Sequence, residues 1–319
     1  MDDIFVSGFA DEILDFMDYC EEQGNDRRSV SYALKFFDNY CYNKYREERT
    51  FTRDDANNFY KTKPKNLKDN TFYSITGTLN RFTSYLVALG YDIGVIQRIG
   101  KYKDFQFIPH IYSKDEKKRY CAAADSYTNV HRPLLNQMLP VMIRTLQCCG
   151  LRAGELLNIR QSDVHLESET PYILIRNSKN GLKRYCPLSH SLSELYEIFY
   201  TIHIKNVVDS EGFIFVDSSG NQITHSMLYE IHKELLYLAN IRYDGHGRGP
   251  RIHDWRHTFC IESFQQLINS GHDSRNALML VSAAMGHQHY TATERYLRLT
   301  QTMFPDISEA LDKIYKNIG

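Results

Sequence analysis

The sequence predicts a mainly α-helical protein of two domains with one small antiparallel β hairpin. Three observations carry this expectation. Apolar residues recur at helical spacing through most of the chain. The pair Asn180-Gly181, the strongest short hairpin signal, stands between two β-type runs. The length of 319 residues exceeds the usual size of one core, so the chain divides into domains of residues 1–105 and 106–319. Hydrophobic residues make up 42%, enough to fill both cores.

Residues 8 to 105 read as an all-helical unit. Phe9, Ile13, Phe16, Met17 and Cys20 mark one helix, which Gly24-Asn25 ends. Ser29 is read as the N-cap of a second, with Val30, Leu34, Phe37 and Cys41 on one face. A third, from Thr71 to Leu89, aligns Phe72, Ile75, Leu79, Phe82 and Leu86 and stops at Gly90. Lys61, Lys63, Lys65, Lys68, Arg81, Arg98, Lys101 and Lys103 lie among its Tyr and Phe residues, as a face for a nucleic-acid backbone or as an ordinary solvated surface. Residues 101 to 113, with Pro109 and little periodicity, read as the linker.

The second domain opens with helices from Ser113 to Ala124 and from Pro133 to Cys148. Gly150 breaks the latter, and Leu151-Arg152-Ala-Gly-Glu155 restarts a helix. The runs Tyr172 to Arg176 and Arg184 to Leu188 form the hairpin and put Lys179 at its tip. Helical spacing returns over 191–240, around Gly212-Phe-Ile-Phe-Val216, and a glycine-rich loop then leads into His253. His253 and Arg256 head a helix whose apolar face reads as Trp255, Phe259, Ser263 and Leu267, so both polar side chains are expected to point away from that core, toward one ligand. Met285-Gly286-His287 ends another helix, and Thr291-Ala-Thr-Glu294 reads as a capping box that starts a last one, with Tyr296 in its second turn. Imidazoles, a guanidinium and a phenol gathered in this way suit phosphodiester chemistry, since donors can hold the phosphoryl oxygens while a hydroxyl attacks phosphorus.

Composition excludes several other classes. Against 38 Lys+Arg stand 39 Asp+Glu, a net charge of -1, so any grip on nucleic acid requires charge segregated to one face. The 7 cysteines form no CxxC pair, which speaks against a disulfide framework or a zinc knuckle and fits a reducing cytoplasm. No signal peptide and no membrane-length apolar run occur. Zinc is the sharper rival, because His253 and His257 stand at i and i+4 as in HExxH. Asp254 in place of the glutamate, and a cation at Arg256, argue against it.

Taken together, Gly150-Leu-Arg152-Ala-Gly-Glu155-Leu, Ser178-Lys179-Asn-Gly, His253-Asp-Trp-Arg256-His, Met285-Gly-His287 and Glu294-Arg-Tyr296 resemble the signature boxes of the tyrosine recombinases, or phage integrases. The resemblance covers essentially the whole chain from Gly8 and is similar in plan to the short Xer and transposon forms that lack an arm-binding domain. It implies a helical core-binding (SAM-like) domain and a tyrosine-recombinase catalytic domain ending in a helix.

It further implies that Arg152 and Arg256 hold the scissile phosphate, Lys179 protonates the departing 5′ oxygen, and His253 assists proton transfer. His287 would donate to a phosphoryl oxygen and Tyr296 would attack. Lys183 is the alternative acid, although register against Pro187-Leu188 favours Lys179. Glu155 and Asp163 are read as orienting the arginine turn. No cofactor or metal is expected. The implied partner is double-stranded DNA at a specific site, with a free monomer becoming a homotetramer there, an accessory DNA-bending protein as an optional companion and no membrane. A terminal amphipathic segment through Ile307, Leu311 and Ile314 would link the protomers. Rival outcomes are a type IB topoisomerase-like nicking-closing enzyme, a non-catalytic DNA-binding relative, and a zinc hydrolase.

Overall fold

The computed structural model describes residues 4–23, 25–100, 109–176, 183–204, 211–245, 249–287 and 290–298. Lys179 and the hairpin tip, residues 101–108 of the expected linker and the tail from residue 299 lie outside the described residues, as does the side chain of Tyr296. The chain divides into two compact units, Met1–Phe105 and Gln106–Gly319, each considered on its own.

In the first unit α1 (Ala10–Glu22), α2 (Arg27–Tyr45), α3 (Arg53–Asn58) and α4 (Asp69–Ala88) surround an aromatic core. Phe37 meets Phe51 at 4.8 Å and Phe82 at 5.2 Å between ring centroids. The cap of α2 is Asp26, whose carboxylate accepts the Ser29 N–H at 3.0 Å, so the expected Ser29 cap is corrected by three residues. A carboxylate can accept from the first turn at that distance, and Ser29 then becomes a helical residue. Helix α3 went unread because it is too short to show a period. Its capping box, Thr52 with Asp55, was the available signal.

The second unit carries α5 (Lys114–Asp125), α6 (Pro133–Cys149), α7 (Ala153–Leu157), α8 (His190–Phe199), α9 (His225–Leu238), α10 (Ile252–Asn269), α11 (Ser274–Met285) and α12 (Tyr290–Arg298). A small antiparallel sheet has the order β1 (Val164–His165), β2 (Tyr172–Ile175), β3 (Arg184–Pro187). Strand β1, of two residues, is an addition to the expected hairpin. Pairing of Ile173 with Cys186 and of Ile175 with Arg184 puts these four side chains on the core-facing side, while Tyr185 is exposed. The end of the expected linker belongs to the core: Tyr112 is buried, stacks on Trp255 at 3.7 Å, and takes its N–H to Thr258 Oγ1 at 3.1 Å.

The core face of α10 is Trp255, Cys260, Ile261 and Phe264, with Phe259 and Ser263 only partly covered, so the expected stripe is shifted. Helical spacing from Trp255 in steps of four predicts Phe259 on that face. The helix is instead covered on more than one side, and Asp254, Arg256, His257 and Thr258 are buried as well. Helix α12 begins at Tyr290, one residue ahead of the expected Thr291 cap.

Gly150 closes α6 in the left-handed region, φ 56°, and a Cβ there would lie 2.3 Å from Phe259 Cδ1. Gly150→Ala should therefore lower stability by about 2–4 kcal/mol through backbone strain and overpacking, read as a lower urea midpoint at unchanged m. A midpoint at the wild-type value would show that Phe259 and the turn yield freely.

Candidate active site

Local chain chemistry sets the arginine turn. After Gly150 reverses the chain, Glu155 turns back to accept the Arg152 N–H at 2.8 Å, which starts α7, and its other oxygen takes Arg152 Nη1 at 2.7 Å. The carboxyl is nearly buried, and it also receives a two-pronged pair from Arg184, at 3.0 and 2.8 Å. Burial alone would push this carboxyl up, but Arg184, the Arg152 N–H and Arg256 hold it down to about 2. Asp163 caps a separate turn, accepting the Arg160 N–H at 3.0 Å and pairing with Arg176 on the end of β2.

Arg256 is fully buried. Its Nη1 donates to Gly150 O at 2.7 Å and its Nη2 to Met285 O at 2.5 Å, the carbonyls at the C-terminal ends of α6 and α11. Those ends carry partial negative charge, so one guanidinium caps two helices. Glu155 Oε2 stands 3.7 Å from Nη1. The expectation that Arg256 points away from the core is thus corrected: it is inside, where helix ends and a carboxylate compensate its charge.

Gly286, with φ 64°, lets the chain turn out of α11 and brings His287 back to Arg256, Nη2 to Nε2 3.0 Å. His287 Nδ1 lies 2.7 Å from Thr293 Oγ1 on α12. A guanidinium can only donate, so in neutral His287 Nε2 accepts and Nδ1–H donates to the threonine. Burial, then Arg256, Arg152 and Arg184, lower its pKa to about 4. His253, on the first turn of α10, is likewise lowered to about 4 by burial and by Arg256, Arg251 and Arg152. Arg152, Arg256, His253 and His287 thus share one site, and the helix that carries Tyr296 is tied to it through Thr293. Lys183 is described and exposed.

Two participants escaped the sequence reading. Thr293 looked like the interior of a capping box, and Arg184 looked like any strand residue. Only the pairing of β2 with β3 reveals that Arg184 faces inward. The approach to His253 is fixed by a third feature. Tyr120 Oη meets His232 Nδ1 at 2.6 Å, and His232 Nε2 meets Pro250 O at 3.1 Å.

Asp254 accepts the Arg251 N–H at 2.8 Å, so it serves the start of α10. His257 is buried beside His253, with ring centroids 5.3 Å apart. Among the described residues no group of three or more His, Cys, Asp or Glu is placed to hold a metal ion. Also among them, no helix is long and apolar enough to cross a membrane.

Burial, then His253, Arg251 and Arg256, lower His257 to about 3. An unfolded histidine, near 6.5, takes up a proton that the folded one refuses, so stability is full above about pH 6.5 and falls toward pH 3. His257→Asn should flatten this part of a Tm-against-pH curve. Unchanged steepness between pH 6.5 and 4 would contradict the assignment.

Comparison with known proteins places the chain among recombinases. The putative integrase/recombinase y4rB of Sinorhizobium fredii is 24% identical over 216 residues, 66% of this chain and 67% of that protein. Tyrosine recombinase XerC of Staphylococcus saprophyticus is 23% identical over 306 residues, 93% of this chain and 92% of that one. Tyrosine recombinase XerH of Campylobacter jejuni is 25% identical over 189 residues, covering 59% of this chain and only 48% of XerH. Among solved structures, XerH bound to palindromic difH substrate in a post-cleavage complex has a TM-score of 0.65 at 18% identity, covering 90% of this chain and 80% of the other. The Tn1549 transposon integrase with transposon right end DNA has a TM-score of 0.56 at 14% identity, with 90% and 93% covered. Residues 128–303, more than half of the chain, match the phage integrase family, and the chain belongs to that family.

Proposed function

We propose that this protein is a site-specific DNA recombinase that cleaves and rejoins DNA through a 3′-phosphotyrosine, with Tyr296 as nucleophile. The observation that carries the residue assignment is the continuous bonding from Arg256 to His287 to Thr293, one turn before Tyr296 on α12. Family membership and the similarity to the XerH and Tn1549 integrase structures, both bound to DNA, support DNA as the partner.

Arg152 and Arg256 hold the non-bridging oxygens of the scissile phosphate with their positive charge. Tyr296 Oη attacks phosphorus and the 5′ oxygen leaves with a proton from Lys179. His253 is held neutral, its pKa lowered to about 4, and can take the tyrosine proton once the phosphate anion offsets the neighbouring arginines and raises its basicity. His287 accepts from Arg256 before DNA arrives, so it must gain a proton to donate, and an adjacent phosphate anion raises its pKa in that direction. The phosphotyrosine keeps the energy of the phosphodiester, so a 5′-hydroxyl of another strand can attack it without ATP.

The first unit supplies a grip on the duplex. Arg98 stacks on Tyr73 at 4.4 Å, and a Cβ at Gly77 would lie 2.8 Å from its Nε, so that glycine lets the guanidinium lie along α4. Arg98, Arg81, Ser74, Thr78 and Asn80 border one groove, and no carboxylate lines it among the described residues. Charge segregated in this way answers the balanced total. On its site the protein assembles as a homotetramer from free monomers, with an accessory DNA-bending protein where the site requires one. Its role is to integrate, excise or resolve a mobile element or replicon in the cytoplasm.

Tyr296→Phe should abolish detergent-resistant attachment to a nicked duplex of the DNA flanking its gene while leaving duplex binding near the wild-type level. A persisting adduct would exclude the assignment. Arg81→Ala and Arg98→Ala should each weaken duplex binding across sequences and reduce the slope of log K against log salt by about 1. An unchanged slope would remove these residues from the interface.

A further inference from the structure

Glu155 faces three guanidinium groups, and they are not equivalent. Arg152 reaches one carboxylate oxygen at 2.7 Å and Arg256 stands at 3.7 Å from the other. Arg184 alone takes both, at 3.0 and 2.8 Å, from a side chain 10% exposed. The fold makes room for it. Arg184 is the first residue of β3, its register with Ile175 turns it to the core, and the turn before His287 carries no side chain where Arg184 passes. A Cβ at Gly286 would lie 2.8 Å from Arg184 Nη1 and 3.0 Å from its Cδ.

A buried carboxylate binds whatever cation can reach it, because leaving its oxygens unmet is costly. Without Arg184, Glu155 would draw Arg256, now 3.7 Å away, into a tight ion pair and would hold Arg152, already bonded at 2.7 Å, more strongly. Those are the two side chains that the recombinase reading assigns to the phosphate, and the inference rests on that reading. We infer that Arg184 is a positioning residue: by satisfying Glu155 from the sheet side, it keeps Arg152 and Arg256 arranged for the scissile phosphate, without touching DNA. It also ties the base of the hairpin, five residues after Lys179, to the arginine turn.

The test measures single-turnover formation of the covalent adduct on a nicked flanking-DNA duplex at saturating protein, scaled to the folded fraction, with duplex affinity alongside. Arg184→Met should slow adduct formation about a hundredfold at unchanged affinity, the scale of a displaced catalytic group. Arg184→Lys, which keeps charge but cannot fork, should fall between it and the wild type. Glu155→Gln added to Arg184→Met should restore about tenfold, because the charge that misdirects the other arginines is then gone. A purely structural role would lower the folded fraction and not the scaled rate.

A wild-type rate for Arg184→Met overturns the inference. So does a double variant no faster than Arg184→Met, or an affinity loss that matches the rate loss, which would mark a direct phosphate contact. If Arg184→Met does not fold, Arg184→Lys decides, and a wild-type rate there is the contrary result. No adduct with the wild-type protein overturns the recombinase reading and this inference with it.

Discussion

One buried guanidinium holds the catalytic unit together. Arg256 joins the carbonyl ends of α6 and α11, and both helices stop there because Gly150 and Gly286 turn the chain in the left-handed region. Burying a charge is costly unless it is paired and bonded. Here two helix ends, His287 and the nearby Glu155 supply the compensation. The consequence is that elements far apart in sequence have one relative arrangement. The arginine turn follows Gly150, His287 follows Gly286, and His253 lies one turn before Arg256 on α10.

The same compensation explains why the site suits an anion. Among the described residues Glu155 is the carboxylate paired with all three of Arg152, Arg184 and Arg256, so these four groups keep an excess of positive charge in a poorly hydrated setting. Positive charge placed before the substrate arrives requires little reorganisation when charge develops on phosphorus. The neutral histidines follow from it, since burial and the guanidinium groups lower His253 and His287 to about 4. Thr293 then extends the network into α12.

Much of the fold was legible because its helices are long and periodic. Phe72, Ile75, Leu79, Phe82 and Leu86 are all buried on α4, as their spacing predicts. What escaped was short or nonlocal. Helix α3 and strand β1 are too brief to show a period, and the α2 cap lay three residues from the serine that looked like one. The proposed site residues stand out in the chain as motifs, but their surroundings do not. From its place three residues after His253, Arg256 is expected to point away from the Trp255 face toward a shared ligand. Its burial depends on Gly150 and Met285, remote in sequence. Arg184 was invisible for the same reason: its meaning lies in a strand register and in a carboxylate 29 residues away.

On the proposed function, Arg256 acts through the geometry of its fork and not through charge alone. The most direct test is the adduct-formation rate of Arg256→Lys at saturating duplex. A lysine ammonium keeps the charge, but it cannot at once span Gly150 O, Met285 O and His287. The rate should fall by about a hundredfold or more. A rate equal to that of the wild type would contradict the account.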